Sequence, residues 1–162
     1  MATLSEEKRY IVRDDKGNEI GNYYSIIKTG GNFYLAQEKE NGKYTILDAD
    51  YSKKSVIKFL GYALIDKPSG DKISFNPGEI VAILEHSICG LGSIYFLYDY
   101  EGNKIYKCDE IFATDSHYFI VKDGTKFGVI DEYGKGVCPC TYETKEAIPH
   151  ILFNEIVNFN FL

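Results

Sequence analysis

One short pattern occurs four times in this chain: an apolar run, an aspartate, a turn, then a β-branched residue. Its copies are Tyr10-Ile11-Val12-Arg13-Asp14, Tyr44-Thr45-Ile46-Leu47-Asp48, Tyr95-Phe96-Leu97-Tyr98-Asp99 and Phe127-Gly128-Val129-Ile130-Asp131. Three copies place glycine three residues after the aspartate, at Gly17, Gly102 and Gly134. A unit repeated at this spacing buries its apolar face only by stacking on its neighbours. Aspartate at the first turn position accepts hydrogen bonds from amides further on, and glycine at the fourth adopts positive φ. Each copy therefore predicts a β-hairpin closed by a type I turn with a G1 bulge. The Asp48 copy has Tyr51 in place of glycine and its β-branched residue, Val56, comes late, which predicts a longer, irregular turn.

Further apolar runs precede three of the copies: Phe33-Tyr34-Leu35-Ala36, Ile80-Val81-Ala82-Ile83-Leu84 and Tyr118-Phe119-Ile120-Val121. The full unit then holds three short strands. Repeats fall at roughly 8–26, 32–59, 79–112 and 117–144, the first truncated and without a full leading strand. An insertion at 60–78 carries the turn signals Pro68-Ser69-Gly70 and Asn76-Pro77-Gly78 and predicts an extra hairpin. The closing segment 145–162 ends in alternation, with Val157, Phe159 and Phe161 on one face of a strand that completes the last unit or pairs with the first. No helical period is sustained, and Pro149 opposes a long helix. The expected fold is one all-β domain over 1–162, of about four stacked antiparallel hairpin or meander repeats, closed or capped by a C-terminal strand.

The segment 118–142 resembles the bacterial WG repeat. The match runs through Tyr118-Phe119-Ile120-Val121, Gly124-Thr125-Lys126, Phe127-Gly128, Val129-Ile130-Asp131, Gly134-Lys135 and Val137-Cys138-Pro139-Cys140-Thr141-Tyr142. Phe127 stands for the signature tryptophan here and Tyr44 in the second copy, where Thr45 replaces the glycine. The other two copies keep only the Asp-x-x-Gly hairpin. The resemblance implies a β-rich tandem scaffold for interactions, with Phe127, Asp131, Gly134, Pro139 and Tyr142 as structural positions. It implies no catalytic residues. Independently of it, Pro139 fits only an edge strand or a bulge.

Net charge is −6, which disfavours nucleic acid and anionic membranes and suits a basic protein partner. No secretory signal is visible at the start, and the apolar stretches fall short of the ~20 residues a membrane helix needs, so the expected location is the cytoplasm. Cys138 and Cys140, two apart, are expected on one strand face; with Cys89 and Cys108 they read as reduced thiols rather than a metal set, as no CxxC occurs. His86 and Cys89 add one weak ligand spacing, and a thiol enzyme would need one of the cysteines beside His86, His117 or His150. Nucleophile-elbow, HExxH and P-loop motifs are absent, and Gly90-Leu91-Gly92 sits between strands. No catalytic, metal or cofactor residues are therefore assigned.

The hairpin tips instead pair acids with tyrosines: Asp50-Tyr51, Tyr100-Glu101 and Glu132-Tyr133. Tyrosine anchors interfaces and the acids select a basic partner. The expected function is non-catalytic protein binding, in its sharpest form an inhibitor or immunity protein that masks a basic toxin domain. The alternatives are a small thiol-dependent hydrolase and a fragment of a larger repeat scaffold.

Overall fold

The computed structural model describes residues 1–55, 57–65, 75–88 and 92–162. Four antiparallel sheets follow one another along the chain. The first is β1 (Ala2–Leu4), β2 (Tyr10–Arg13) and β3 (Glu19–Tyr23); the second is β4 (Ser25–Lys28), β5 (Tyr34–Gln37) and β6 (Tyr44–Leu47). The third is β7 (Gly61–Leu64), β8 (Ile80–Ile88), β9 (Gly92–Asp99) and β10 (Lys104–Cys108). The fourth is β11 (Glu110–Thr114), β12 (Phe119–Asp123), β13 (Lys126–Ile130) and β14 (Gly136–Tyr142), with β15 (Ile156–Val157) on the free edge of β11. A single 3₁₀ turn, Lys145–Ala147, is the only helical element among the described residues.

Three turns are built as the sequence predicts. The carboxylate of Asp14 accepts the amides of Lys16 and Asn18, Asp99 those of Glu101 and Asn103, and Asp131 those of Tyr133 and Lys135, all at 2.9–3.0 Å. Gly17, Gly102 and Gly134 sit at φ +83°, +80° and +78°. The turn at Asp48 corrects the expectation of a longer loop. Tyr51 N–H donates to the Asp48 carbonyl at 2.9 Å and Asp48 N–H to that of Ser52 at 2.8 Å, the closing pair of the other three turns. Tyr51 itself takes the glycine conformation, φ +68°. That costs about 1–2 kcal/mol. Stacking on Tyr34, with centroids 4.4 Å apart and planes at 19°, offsets about 0.5–1.5 kcal/mol of it. Irregularity comes only after the turn, where the chain meets β6 at two isolated bridges, Leu47–Lys53 and Tyr44–Phe59.

Side chains alternate across each sheet, and the two faces enter different cores. Leu35 and Ile46 of the second sheet join Phe59, Val81, Leu84 and Phe96 against the third. Ala36 and Leu47 of the same strands join Val12 and Tyr23 against the first. Ile83 and Leu97 of the third sheet meet Ile111, Phe119 and Val121 of the fourth. The outer face of the fourth sheet, Ile120 and Val129, is covered by Ile148 and Phe153. The cores thus lie in series, each between consecutive sheets. One residue separates successive sheets at two junctions, Tyr24 between β3 and β4 and Asp109 between β10 and β11. Both junctions fall inside the segments 8–26 and 79–112.

Two other expectations change, those for the first unit and for the cysteine pair; the terminal strand joins the last sheet, one of its two expected partners, and the segment 60–78 is described only in part. The first unit has its leading strand, since β1 pairs with β2. The segment 60–78 supplies β7, an edge strand of the third sheet; its residues 66–74, and with them the Pro68-Ser69-Gly70 signal, lie outside the described residues, as does Val56. The C-terminal strand joins the last sheet through Ala113–Val157 and Thr114–Ile156, and Val157 is exposed while Phe159 and Phe161 continue into the core between the third and fourth sheets. Cys138 and Cys140 face opposite sides, because β14 is bulged around its pairing with Val129. Cys138 packs in the outer core of the fourth sheet and Cys140 in its inner core. Pro139 sits in that bulged edge strand, where no ladder amide is required of it. A Cβ at Gly128 would lie 2.7 Å from the Cys138 carbonyl and 2.8 Å from Cys140 Sγ, so the bulge requires glycine there. Thr45, the equivalent residue, instead donates its hydroxyl to the Ser55 carbonyl.

Gly17 and Gly102 separate two costs of replacing a turn glycine. Nothing lies within 4 Å of a Cβ built on Gly17, whereas one on Gly102 comes 3.1 Å from the Phe33 ring in the neighbouring sheet. Gly17→Ala is expected to cost about 1 kcal/mol in urea denaturation, from backbone conformation alone. Gly102→Ala should cost about 2–3 kcal/mol, since a buried ring must also move.

Candidate functional site

Each hairpin tip is held by a different neighbour. Tyr100 is half-buried in the core between the second and third sheets, and its carbonyl accepts the Asn32 amide at 2.6 Å. The Glu101 carbonyl accepts Lys54 Nζ at 3.3 Å. This tip is therefore a joint between sheets, with the Glu101 side chain exposed. The Glu132 carbonyl accepts the Ile80 amide at 2.8 Å, while its carboxylate lies 3.4 Å from His117 Nδ1. Tyr133 stays 39% exposed. Asp50 is exposed, and its carboxylate accepts both the amide and the hydroxyl of Ser52, which holds it below the ordinary carboxylate range.

Two of these tips border concave surfaces. Asp50 and Tyr51 line a cavity of about 230 Å³ with Arg13, Asp14, Asp15 and Ile20 of the first hairpin and with Met1. Asp14 is held ionised chiefly by the Asn18 amide, with help from the Asn18 side chain and the amides of Lys16 and Gly17. Three carboxylates thus share the cavity with one guanidinium and the Met1 amine, which donates to the Arg13 carbonyl at 3.0 Å. Glu132 lines a second cavity, of about 570 Å³, between the third and fourth sheets, together with Asp115, His117 and Glu79. Its apolar wall includes Phe75, Phe119 and Phe159. From sequence Asp14 reads only as a turn residue, and Asp15 stands beside it. Their meeting with Asp50 and Tyr51 depends on how two sheets stack, and no local motif encodes that.

The three described cysteines sit in apolar packing. Burial pushes the Cys108 thiol up to about 12, and burial also raises Cys140. With their thiols so raised, Cys108 and Cys140 are protonated at neutral pH and poor nucleophiles. The histidines are engaged elsewhere: His86 against Phe59, Phe96 and the Lys58 carbonyl, His117 against Glu132, His150 against Phe153. Cys89, with its spacing to His86, and Gly90-Leu91 lie outside the described residues. Among the described residues, no group of three or more His, Cys, Asp or Glu gathers as a metal would need, and no helix is long and apolar enough to cross a membrane.

No family model, curated protein or solved structure matches the chain.

The buried acids set an alkaline limit on stability. Burial pushes Tyr98 and Tyr106 from 10.0 up to about 12, and Cys108 from 9.0 up to about 12. In the unfolded chain these groups lose protons first, so unfolding releases protons and stability falls as pH rises. The contribution is fully present below pH 9.0 and is lost progressively toward about 12. Urea midpoints measured from pH 8 to 11 should stay level at first and then decline (about one proton less steeply in Cys108→Ala).

Proposed function

We propose that this chain is a divergent WG-repeat-like scaffold that binds a basic protein without catalysis, acting in the cytoplasm as an inhibitor or immunity protein that masks a toxin domain. The observation that carries this reading is that two acid-bearing tips, Asp50-Tyr51 and Glu132-Tyr133, border acid-lined cavities on a stack of sheets with buried cores. A concave surface lined by carboxylates takes an arginine or lysine side chain, and the acids steer it in. The net charge of −6 favours the same encounter. Tyr100 contributes to the stack, and Glu101 to the acidic surface.

Capture of a basic partner by the full chain should weaken strongly between about 50 and 300 mM salt. Asp50→Lys with Tyr51→Asn, and separately Glu132→Lys with Tyr133→Ala, should each lower affinity tenfold or more while the far-ultraviolet spectrum stays unchanged. Capture that survives both pairs of substitutions and high salt would overturn the proposal.

A further inference from the structure

At the far end of the second sheet lies a cavity of opposite character. It measures about 550 Å³ and is lined by Lys39, Lys43, Lys53 and Lys58, with Glu38 and Leu60. One carboxylate serves four ammonium groups: Glu38 lies 3.8 Å from Lys53, and both side chains are more than half exposed. Among the described residues, Lys39, Lys43 and Lys58 have no ion-pair partner. In a chain of net charge −6, such a concentration of lysines stands against the average composition. Like charges brought together around a concavity repel one another and raise its potential, which an anion relieves.

The backbone beneath these lysines is fixed. Lys39 and Lys43 flank the β5–β6 turn, where Asn41 takes φ +59° and the Gly42 amide donates to the Lys39 carbonyl at 3.0 Å. Gln37 Nε2 donates to the Gly42 carbonyl at 2.8 Å and pins that turn to β5. On the other side, Lys58 is anchored by the paired backbone of Phe59 and Tyr44 and by the contact of its own carbonyl with His86 Nδ1. Lysines from two anchored segments thus line one space.

Size and surroundings decide the class of ligand. The volume is that of a small-molecule site. Glu40 in the same turn and Asp48 and Asp50 in the next are acidic, so the lysines form no stripe along which a nucleic acid could lie. Leu60, 45% exposed on the wall, offers an apolar contact beside the charges. We propose that this cavity binds a compact, multiply charged phosphate-bearing small molecule.

Calorimetric titration of the full chain with pyrophosphate and with ATP tests this. Saturable one-to-one binding is expected, weakening as salt rises. All four lysines are exposed, so Lys43→Gln with Lys58→Gln should leave the fold intact. Affinity should fall about tenfold or more for each charge-assisted hydrogen bond removed. Lys122→Gln with Lys126→Gln, in the fourth sheet and paired there with Glu110 and Glu143, should leave binding unchanged. ATP bound more tightly than pyrophosphate would support the proposal and assign Leu60 to the base. No saturable heat with either probe, equal losses in both double variants, or adenosine binding as well as ATP would overturn it. So would binding of polyglutamate without pyrophosphate, which would place an acidic protein there. The Glu132→Lys/Tyr133→Ala variant, whose tip borders the other cavity, should not alter phosphate binding, so this result stands or falls apart from partner capture.

Discussion

Phe59→Ala should destabilise the protein by about 3–5 kcal/mol, the cost of deleting a fully buried aromatic ring. Phe59 has no exposed surface. Its ring meets Phe96 and Tyr98 edge-on, with centroids 6.1 and 5.9 Å away, and His86 at 6.2 Å. Its N–H and carbonyl both pair with Tyr44, at 2.8 and 2.7 Å. The residue therefore joins an irregular segment to β6 through its backbone and to the third sheet through its ring. Domains of this size are stable by about 5–15 kcal/mol, so the loss is a large share of the total. Phe59→Leu keeps most of the volume and should cost about 1.5 kcal/mol or less. Urea denaturation of the two variants checks the contrast; equal midpoints would show that the volume leucine keeps does not help and that the ring's own contacts carry the loss.

The second large effect belongs to the C-terminal tail. After β15 the chain leaves the fourth sheet and reaches the third, where Leu162 N–H donates to the Tyr62 carbonyl at 2.9 Å and the Tyr62 N–H returns the bond at 3.2 Å. Between these points Phe159 stacks on Phe119, with centroids 5.9 Å apart, and Phe161 meets Tyr95 at 5.1 Å. Both rings are half-buried, so the double variant Phe159→Ala/Phe161→Ala should lose about 3–4 kcal/mol, below the sum for two fully buried rings. It should also free the edge of β7, an unpaired template for association. Light scattering during thermal unfolding should therefore rise in the variant before it does in the parent. Ile151→Ser, at a side chain 89% exposed, should stay within about 0.5 kcal/mol of the parent.

What is legible in the sequence follows from how local each determinant is. The turns at Asp14, Asp99 and Asp131 lie within five residues of sequence, and their aspartates and glycines announce them. The Asp48 turn misleads because its glycine surrogate is a tyrosine, stabilised by Tyr34 on a neighbouring strand. Period-two reasoning puts Cys138 and Cys140 on one face because it assumes an unbroken ladder, and β14 is bulged. The all-β character comes from pattern, but the serial order of the cores depends on which face of Leu35-Ala36 or Ile46-Leu47 meets which sheet. The acidic tips are visible in sequence, yet the docking of Tyr100 is not, since Asn32 lies far from it along the chain. The lysine cavity is equally hidden, because Lys39, Lys43, Lys53 and Lys58 converge only through the folding of an irregular segment onto β6.

The serial order of the cores also gives the molecule a soft end. The first sheet is fastened to the rest by a small cluster around Val12, Tyr23, Ala36 and Leu47, while the second and third sheets share a much larger aromatic core. Opening of a linear array begins where the nearest-neighbour seam is weakest. That seam is the one spanned by Asp14 and Asp15 on one side and Asp50 and Tyr51 on the other. Anything seated across those residues acts as a clasp, converting its own affinity into resistance to fraying of the amino-terminal sheet.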